Sequence, residues 1–123
     1  MWANLGARLT GHEPGEVMVE AHLTPDAHGF PTSRGAIVHG GAIAALADMA
    51  LASAGMSVAS DGQVVTTVDL RVDFLQTAMP GRLLARGRVQ RRTRRLCFVA
   101  ASMEQEDGTV VAEARALLAY LAR

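Results

Sequence analysis

The sequence predicts an α+β domain in which one long central helix is wrapped by a curved antiparallel β-sheet. Three observations predict it. The run Ala42–Ala54 is apolar on nearly every face, the pattern of a helix buried all round. A period of two, Val17, Val19, Ala21 and Leu23 against Met18, Glu20 and His22, marks a half-buried strand before that helix. Further strand patterns follow it with only short turns between them, which is a meander.

Residues 1–15, with Gly6, Gly11, Pro14 and Gly15, read as an irregular or partly helical lead-in. Glu16–Leu23 is the first strand. Thr24–Arg34 carries Pro25, Gly29, Pro31 and Ser33 and reads as a long polar loop, of the kind that is often functional beside a helix start. His39, Gly40 and Gly41 then lead into the Ala-, Leu- and Met-rich helix. Ser60-Asp61-Gly62 turns the chain. In the next strand Thr66, Val68, Leu70, Val72 and Phe74 face one way, Thr67, Asp69, Arg71 and Asp73 the other.

Met79-Pro80-Gly81 turns into strand Arg82–Gln90, with Leu83, Ala85, Gly87 and Val89 on one face. Arg91–Arg95 is read as the next connection and Leu96–Gln105 as a strand. Glu106-Asp107-Gly108 is a hairpin signal before the closing strand Val110–Leu121. Nothing divides the 123 residues, so one domain, 1–123, is expected.

Composition excludes several classes. Twelve basic residues balance twelve acidic ones, which argues against nucleic acid or an anionic membrane as the main partner. All twelve are Arg, so lysine Schiff-base chemistry is excluded. Cys97 is the lone cysteine and sits in an apolar strand, as a small core residue would. The run Ala42–Ala59 is borderline in length for a membrane span, but it is mostly Ala, carries Asp48 near its centre and lacks an aromatic belt. With no charged leader before an apolar block, a soluble cytoplasmic protein is expected.

His12, His22, His28 and His39 fall at no recognised ligand spacing, and Gly40-Gly41 is no nucleotide fingerprint, so neither metal nor cofactor is expected. What remains is a glycine helix start and a carboxylate. Asp48 is the only ionisable residue between His39 and Asp61. Burying it unpaired costs several kcal/mol. Either it faces a solvent channel, pairs with an arginine, or does chemistry. The helix start offers free N–H groups and partial positive charge to an oxyanion, and glycine lets a carbonyl approach; tight packing against a strand would also select glycine.

Gly40 and Asp48 are separated by roughly 12 Å along one helix, so they cannot both touch one carbonyl from the same chain. To act together they must come from two protomers, with the two central helices side by side and antiparallel. The all-round apolar helix fits such an interface.

The run Gly35-x-x-x-His39-Gly40-Gly41 followed by Leu46-Ala47-Asp48-x-Ala50 resembles the hotdog-fold acyl-CoA thioesterases, in particular the phenylacetate-pathway (PaaI-like) family. The similarity continues through Thr67-Val68-Asp69-Leu70, the Pro80-Gly81 turn, the arginines at 91–95 and the Asp107-Gly108 hairpin. It implies hydrolysis of an acyl-CoA thioester by a homodimer that assembles into a homotetramer. Gly40 would donate its N–H to the thioester carbonyl, with Gly41 beside it. Asp48 of the partner subunit would act as general base or nucleophile. Thr67 would help hold water, and His39 would shape the site. Arg91, Arg92, Arg94 and Arg95 would bind the phosphates of CoA, one or two of them directly, or else form a solvated turn.

There is one departure. Ser33 stands where the family commonly carries Asn or Gln, so a single hydroxyl replaces a carboxamide. This keeps open a second class of function, a hotdog module that binds acyl-CoA without hydrolysing it. Retention of Asp48 favours the enzyme. Aryl and medium aliphatic acyl groups both fit the composition.

Overall fold

The computed structural model describes Trp2–Arg123. After a 3₁₀ turn at Ala3–Leu5 the chain forms β1 (Arg8–Glu13), β2 (Glu16–Leu23), α1 (Pro25–His28), β3 (Gly29–Thr32), β4 (Gly35–Val38), α2 (Gly40–Ser57), β5 (Gln63–Phe74), β6 (Gly81–Arg92), β7 (Leu96–Gln105) and β8 (Val110–Ala122). Six strands make one antiparallel sheet in the order β1-β2-β6-β7-β8-β5, and β3 and β4 make a separate hairpin. Helix α2 packs on the face built by Val17, Val19, Ala21, Leu83, Val99, Met103, Ala114 and Leu118, all buried. This is the expected α+β architecture. Among the described residues α2 is the one helix long and apolar enough to cross a membrane by composition, and here it is the core helix.

The lead-in and the long loop hold more structure than their composition suggests. Strand β1 is exposed along nearly its whole length, so it shows no alternation. It is made by pairing with β2 across the Pro14-Gly15 turn, where Gly15 has φ +87°. The 24–34 stretch contains α1, capped by the Thr24 hydroxyl accepting from the Ala27 N–H, and the first strand of the β3–β4 hairpin. Arg91 and Arg92 belong to β6 rather than to a connection, which shrinks to the residues just after them.

Two expectations about faces change. Helix α2 is not buried all round: Ile43, Leu46, Ala47, Ala50, Leu51 and Ala54 face the sheet, while Ala45, Asp48, Ala52, Ser53 and Met56 stay half-exposed in a single chain. In β5 the alternation does not run unbroken. Its register against β8 slips between Thr67 and Asp69, with Thr67 opposite Leu118 and Asp69 opposite Leu117. Val68 is the extra residue of a β-bulge. Leu70, Val72 and Phe74 keep their shared face, but Thr67 joins it and Val68, 58% exposed, leaves it.

The helix sits unusually close to the sheet. A Cβ added at Gly87 would lie 2.6 Å from the Ala50 carbonyl oxygen and 3.0 Å from its carbon, both backbone atoms. No side-chain rotation relieves that contact. Gly87→Ala is therefore expected to destabilise the protein by about 1–3 kcal/mol, read as a lower urea midpoint at unchanged m-value. A midpoint equal to wild type would show that α2 can lift off β6 freely.

Candidate active site

The start of α2 is built by its backbone. His39 is the N-cap at φ −60°, ψ 136°; its side chain makes no capping bond, and its carbonyl accepts the Ala42 and Ile43 N–H groups at 3.0 and 3.4 Å. The N–H groups of Gly40 and Gly41 have no acceptor among the described residues. Both point out of the helix end, where the macrodipole is positive. The His39 ring is free to lie against Phe30, centroids 4.7 Å apart and tilted by 40°.

Close packing accounts for only one of the two glycines. A Cβ at Gly40 would come within 3.3 Å of the Phe74 ring, whereas at Gly41 it would meet nothing within 4 Å. Gly40 opens into a cleft of ≈ 500 Å3 whose walls include Phe30, Ile37, Ile43, Phe74 and Leu75. The phenyl groups that frame the helix start come from β3, ten residues before Gly40, and from the far end of β5, and neither lies within the glycine motif. That is why motif reading missed them.

Two turns along the same helix, Asp48 is half-buried, and its Oδ1 accepts a 2.8 Å hydrogen bond from the Thr67 hydroxyl. The Val68 bulge is what turns Thr67 towards the helix. A hydroxyl bonded to a carboxylate contributes about 1.5–3 kcal/mol and fixes its rotamer without cancelling its charge. Asp48 opens into a different cleft, of ≈ 430 Å3, with Trp2, Leu9, His12, Met49 and Met56 around it. The structure thus joins Asp48 to Thr67, and Gly40 to His39 through the cap, but it does not bring the two pairs together within one chain.

The remaining candidates lie apart. Ser33 is exposed at the tip of the β3–β4 hairpin; there the Thr32 hydroxyl organises the turn, accepting from the Arg34 N–H at 3.2 Å and donating to the Gly35 carbonyl at 2.5 Å. Arg91, Arg94 and Arg95 are exposed around the β6–β7 turn. Arg92 is different. Its guanidinium lies 4.3 Å from the centre of the Tyr120 ring, and its Nη2 donates to Gln63 Oε1 at 2.9 Å and Ser60 Oγ at 3.4 Å. The Tyr120 hydroxyl donates to the Gly55 carbonyl at 2.8 Å. Burial, with Cys97 second, pushes that phenol up to about 12 against the opposing pull of Arg92. Arg92 is thus committed to holding the C-terminal end of α2 and the loop after it.

No curated protein sequence matches the chain. Solved structures do. A phenylacetic acid degradation-related protein from Ralstonia eutropha JMP134 is 28% identical, with 96% of this chain and 87% of that one covered and a TM-score of 0.85. A thioesterase family protein from Silicibacter pomeroyi is 27% identical, covering 99% and 89%, with a TM-score of 0.88. The E. coli PaaI protein from the phenylacetic acid degradation operon shares the fold at 21% identity, covering 98% and 83%, with a TM-score of 0.86. Residues 35–112, from the hairpin through the central helix to β8, match the thioesterase superfamily as a family. With well over half its length matched in that way, the chain belongs to the thioesterase superfamily and has its hotdog fold.

Proposed function

We propose that the protein is a PaaI-like enzyme that hydrolyses acyl-CoA thioesters to free acid and CoA, working in the cytoplasm as a homodimer within a homotetramer. One observation carries the reading. Gly40 and Asp48 open into separate clefts on one helix, so each chain offers half a site at either place. Two antiparallel α2 helices would set the Gly40 end of one against Asp48 of the partner subunit.

The chemistry then divides between the halves. The Gly40 N–H, strengthened by the helix dipole, donates to the thioester oxygen and stabilises the negative charge that grows there. Asp48 of the partner subunit takes a proton from water as the water oxygen bonds to the carbonyl carbon. The C–S bond then breaks, and the CoA sulfur leaves and is protonated. In the nucleophilic variant the carboxylate itself attacks, and water cleaves the resulting anhydride. Thr67 holds the carboxylate in either route. The exposed Ser33, lacking a carboxamide, favours the second reading of an acyl-CoA-binding module. A hydrolysis screen over acyl-CoA thioesters separates the two.

Asp48→Asn is expected to keep the fold and assembly and to lower turnover by about 10²-fold or more. Near-normal turnover in a correctly assembled variant removes Asp48 from the mechanism.

The phosphate role falls to the exposed arginines. Replacing Arg91, Arg94 and Arg95 with Ala should raise KM for CoA thioesters about tenfold and flatten its salt dependence. A pantetheine thioester, without the nucleotide, should be little affected. Equal effects on both substrates mean that the turn binds no phosphate.

Shared sites can be tested by mixing chains. Gly40→Pro removes the donor N–H, and proline is tolerated at a first helical position. The extended conformation of His39 suits a residue before proline, although the Phe74 ring must shift slightly. A heterodimer of Asp48→Asn and Gly40→Pro chains holds one intact site and one doubly disabled one. Random mixing of two inactive, folded parents should restore about a quarter of wild-type activity. Verified heterodimers as inactive as their parents would falsify the cross-subunit site.

A further inference from the structure

His28 and Glu20 are the two buried polar or charged residues among the described residues, and the proposed chemistry uses neither. Both nitrogens of the His28 ring are occupied. Nδ1 accepts the Thr24 backbone N–H at 2.8 Å, and Nε2 bonds to the Asn4 carbonyl oxygen in the N-terminal 3₁₀ turn. A nitrogen that accepts an N–H carries no proton, and one that faces a carbonyl oxygen must carry it. The ring is therefore neutral, in the Nε2–H form.

The backbone of the same residue reaches the helix start. The His28 carbonyl accepts the N–H of His39 at 2.8 Å, and its own N–H donates to the Thr24 carbonyl at 3.0 Å. His39 is the N-cap of α2, whose carbonyl in turn accepts the Ala42 and Ile43 N–H groups. Little slack exists beyond His28: a Cβ at Gly29 would lie 2.7 Å from the Ile37 carbonyl oxygen. An unbroken series of hydrogen bonds thus runs from Asn4 and Thr24 through His28 to the peptide beside Gly40.

We propose that His28 is a positioning residue, whose ring pins the peptide that holds the α2 N-cap and so fixes the direction in which the Gly40 N–H is presented. The inference rests on the thioesterase reading of Gly40. An apolar side chain could fill the same volume, but it would leave the Thr24 N–H and the Asn4 carbonyl without their bonds and the cap peptide free to tilt. Misplacing a catalytic group by ~1 Å costs up to about 10²-fold in rate, so a small tilt matters.

The test uses the full-length enzyme with His28→Ala, which removes both ring bonds, and His28→Asn, whose Oδ1 can replace Nδ1 as acceptor for Thr24. Activity is measured at a temperature where circular dichroism shows each variant folded, and the backbone amide resonances of His39 and Gly40 are recorded in parallel. For His28→Ala, kcat should fall about tenfold with KM within about twofold, and both resonances should move. His28→Asn should recover most of kcat and return both resonances towards wild type. Wild-type kcat in folded His28→Ala overturns the proposal, as does an Asn variant no better than Ala. If His28→Ala does not fold, His28→Asn decides alone: kcat and both amides near wild type support the proposal, and displaced amides with unchanged kcat sink it. If wild type hydrolyses no thioester, the enzymatic reading has failed; the two amides still report whether His28 sets the helix start, and unmoved resonances in a folded variant refute that.

Discussion

Everything at the site depends on how close α2 lies to the sheet. One close approach is backbone to backbone, Ala50 of the helix over Gly87 of β6, where a single methyl group would collide with the carbonyl. Further along, a Cβ on Gly55 would come within 2.4 Å of a Leu118 methyl group. Among the sheet-facing residues of α2, Ala47, Ala50 and Ala54 are fully buried and small, set between the larger Leu46 and Leu51. Dense packing of this kind leaves no room for the helix to slide or roll without opening voids. It therefore fixes where Asp48 meets β5 and where the helix start meets Phe74. Sites on rigid elements hold geometry that loops cannot, and here both proposed catalytic groups ride on one rigid rod.

Much of this was legible before any coordinates. Strong periodicity and turn chemistry revealed β2, the central helix, β7, β8 and the core face of β6, because each is decided by neighbours a few residues away. What escaped has a common cause. Strand β1 exists through its pairing with β2 and buries almost nothing of its own, so no alternation marks it. The β3–β4 hairpin is four residues on a side, and only Val38 of it is buried. The Val68 bulge leaves no mark in an apolar-polar alternation, yet it decides that Thr67 and not Val68 reaches Asp48. Arg92 shows the same limit among charges: it looks like its three neighbours in sequence, and only the approach of Tyr120 and Gln63 from elsewhere sets it apart.

The single chain also leaves surface that its own sheet does not cover. Strand β5 is an edge, and its exposed residues include Val68, Leu70 and Phe74. The face of α2 that carries Asp48 is only half-buried and mostly apolar. A long apolar edge strand in an isolated protein invites pairing with other chains. The proposed dimer gives both surfaces one occupant, and it explains why the helix is apolar on faces its own sheet never touches. A helix that packed on one side only would carry charges on the other.

Asp48 was open to three readings, and among the described residues its side-chain partner is a hydroxyl and not an arginine. An arginine would have turned the carboxylate into half of a structural ion pair, holding its charge and both oxygens in place. A solvent channel alone would have left both oxygens to water. Neither is found. One oxygen accepts from a neutral hydroxyl, and the residue stays half-open to a cleft. That combination orients the carboxylate while leaving its second oxygen without a protein donor among the described residues. The proposed base or nucleophile needs both of these, a fixed direction and an available lone pair. The bulge at Val68 therefore matters beyond β5 itself. In the unbroken register that Leu70 opposite Ala116 sets, Val68 would stand opposite Leu118 in place of Thr67, and an apolar side chain would face Asp48.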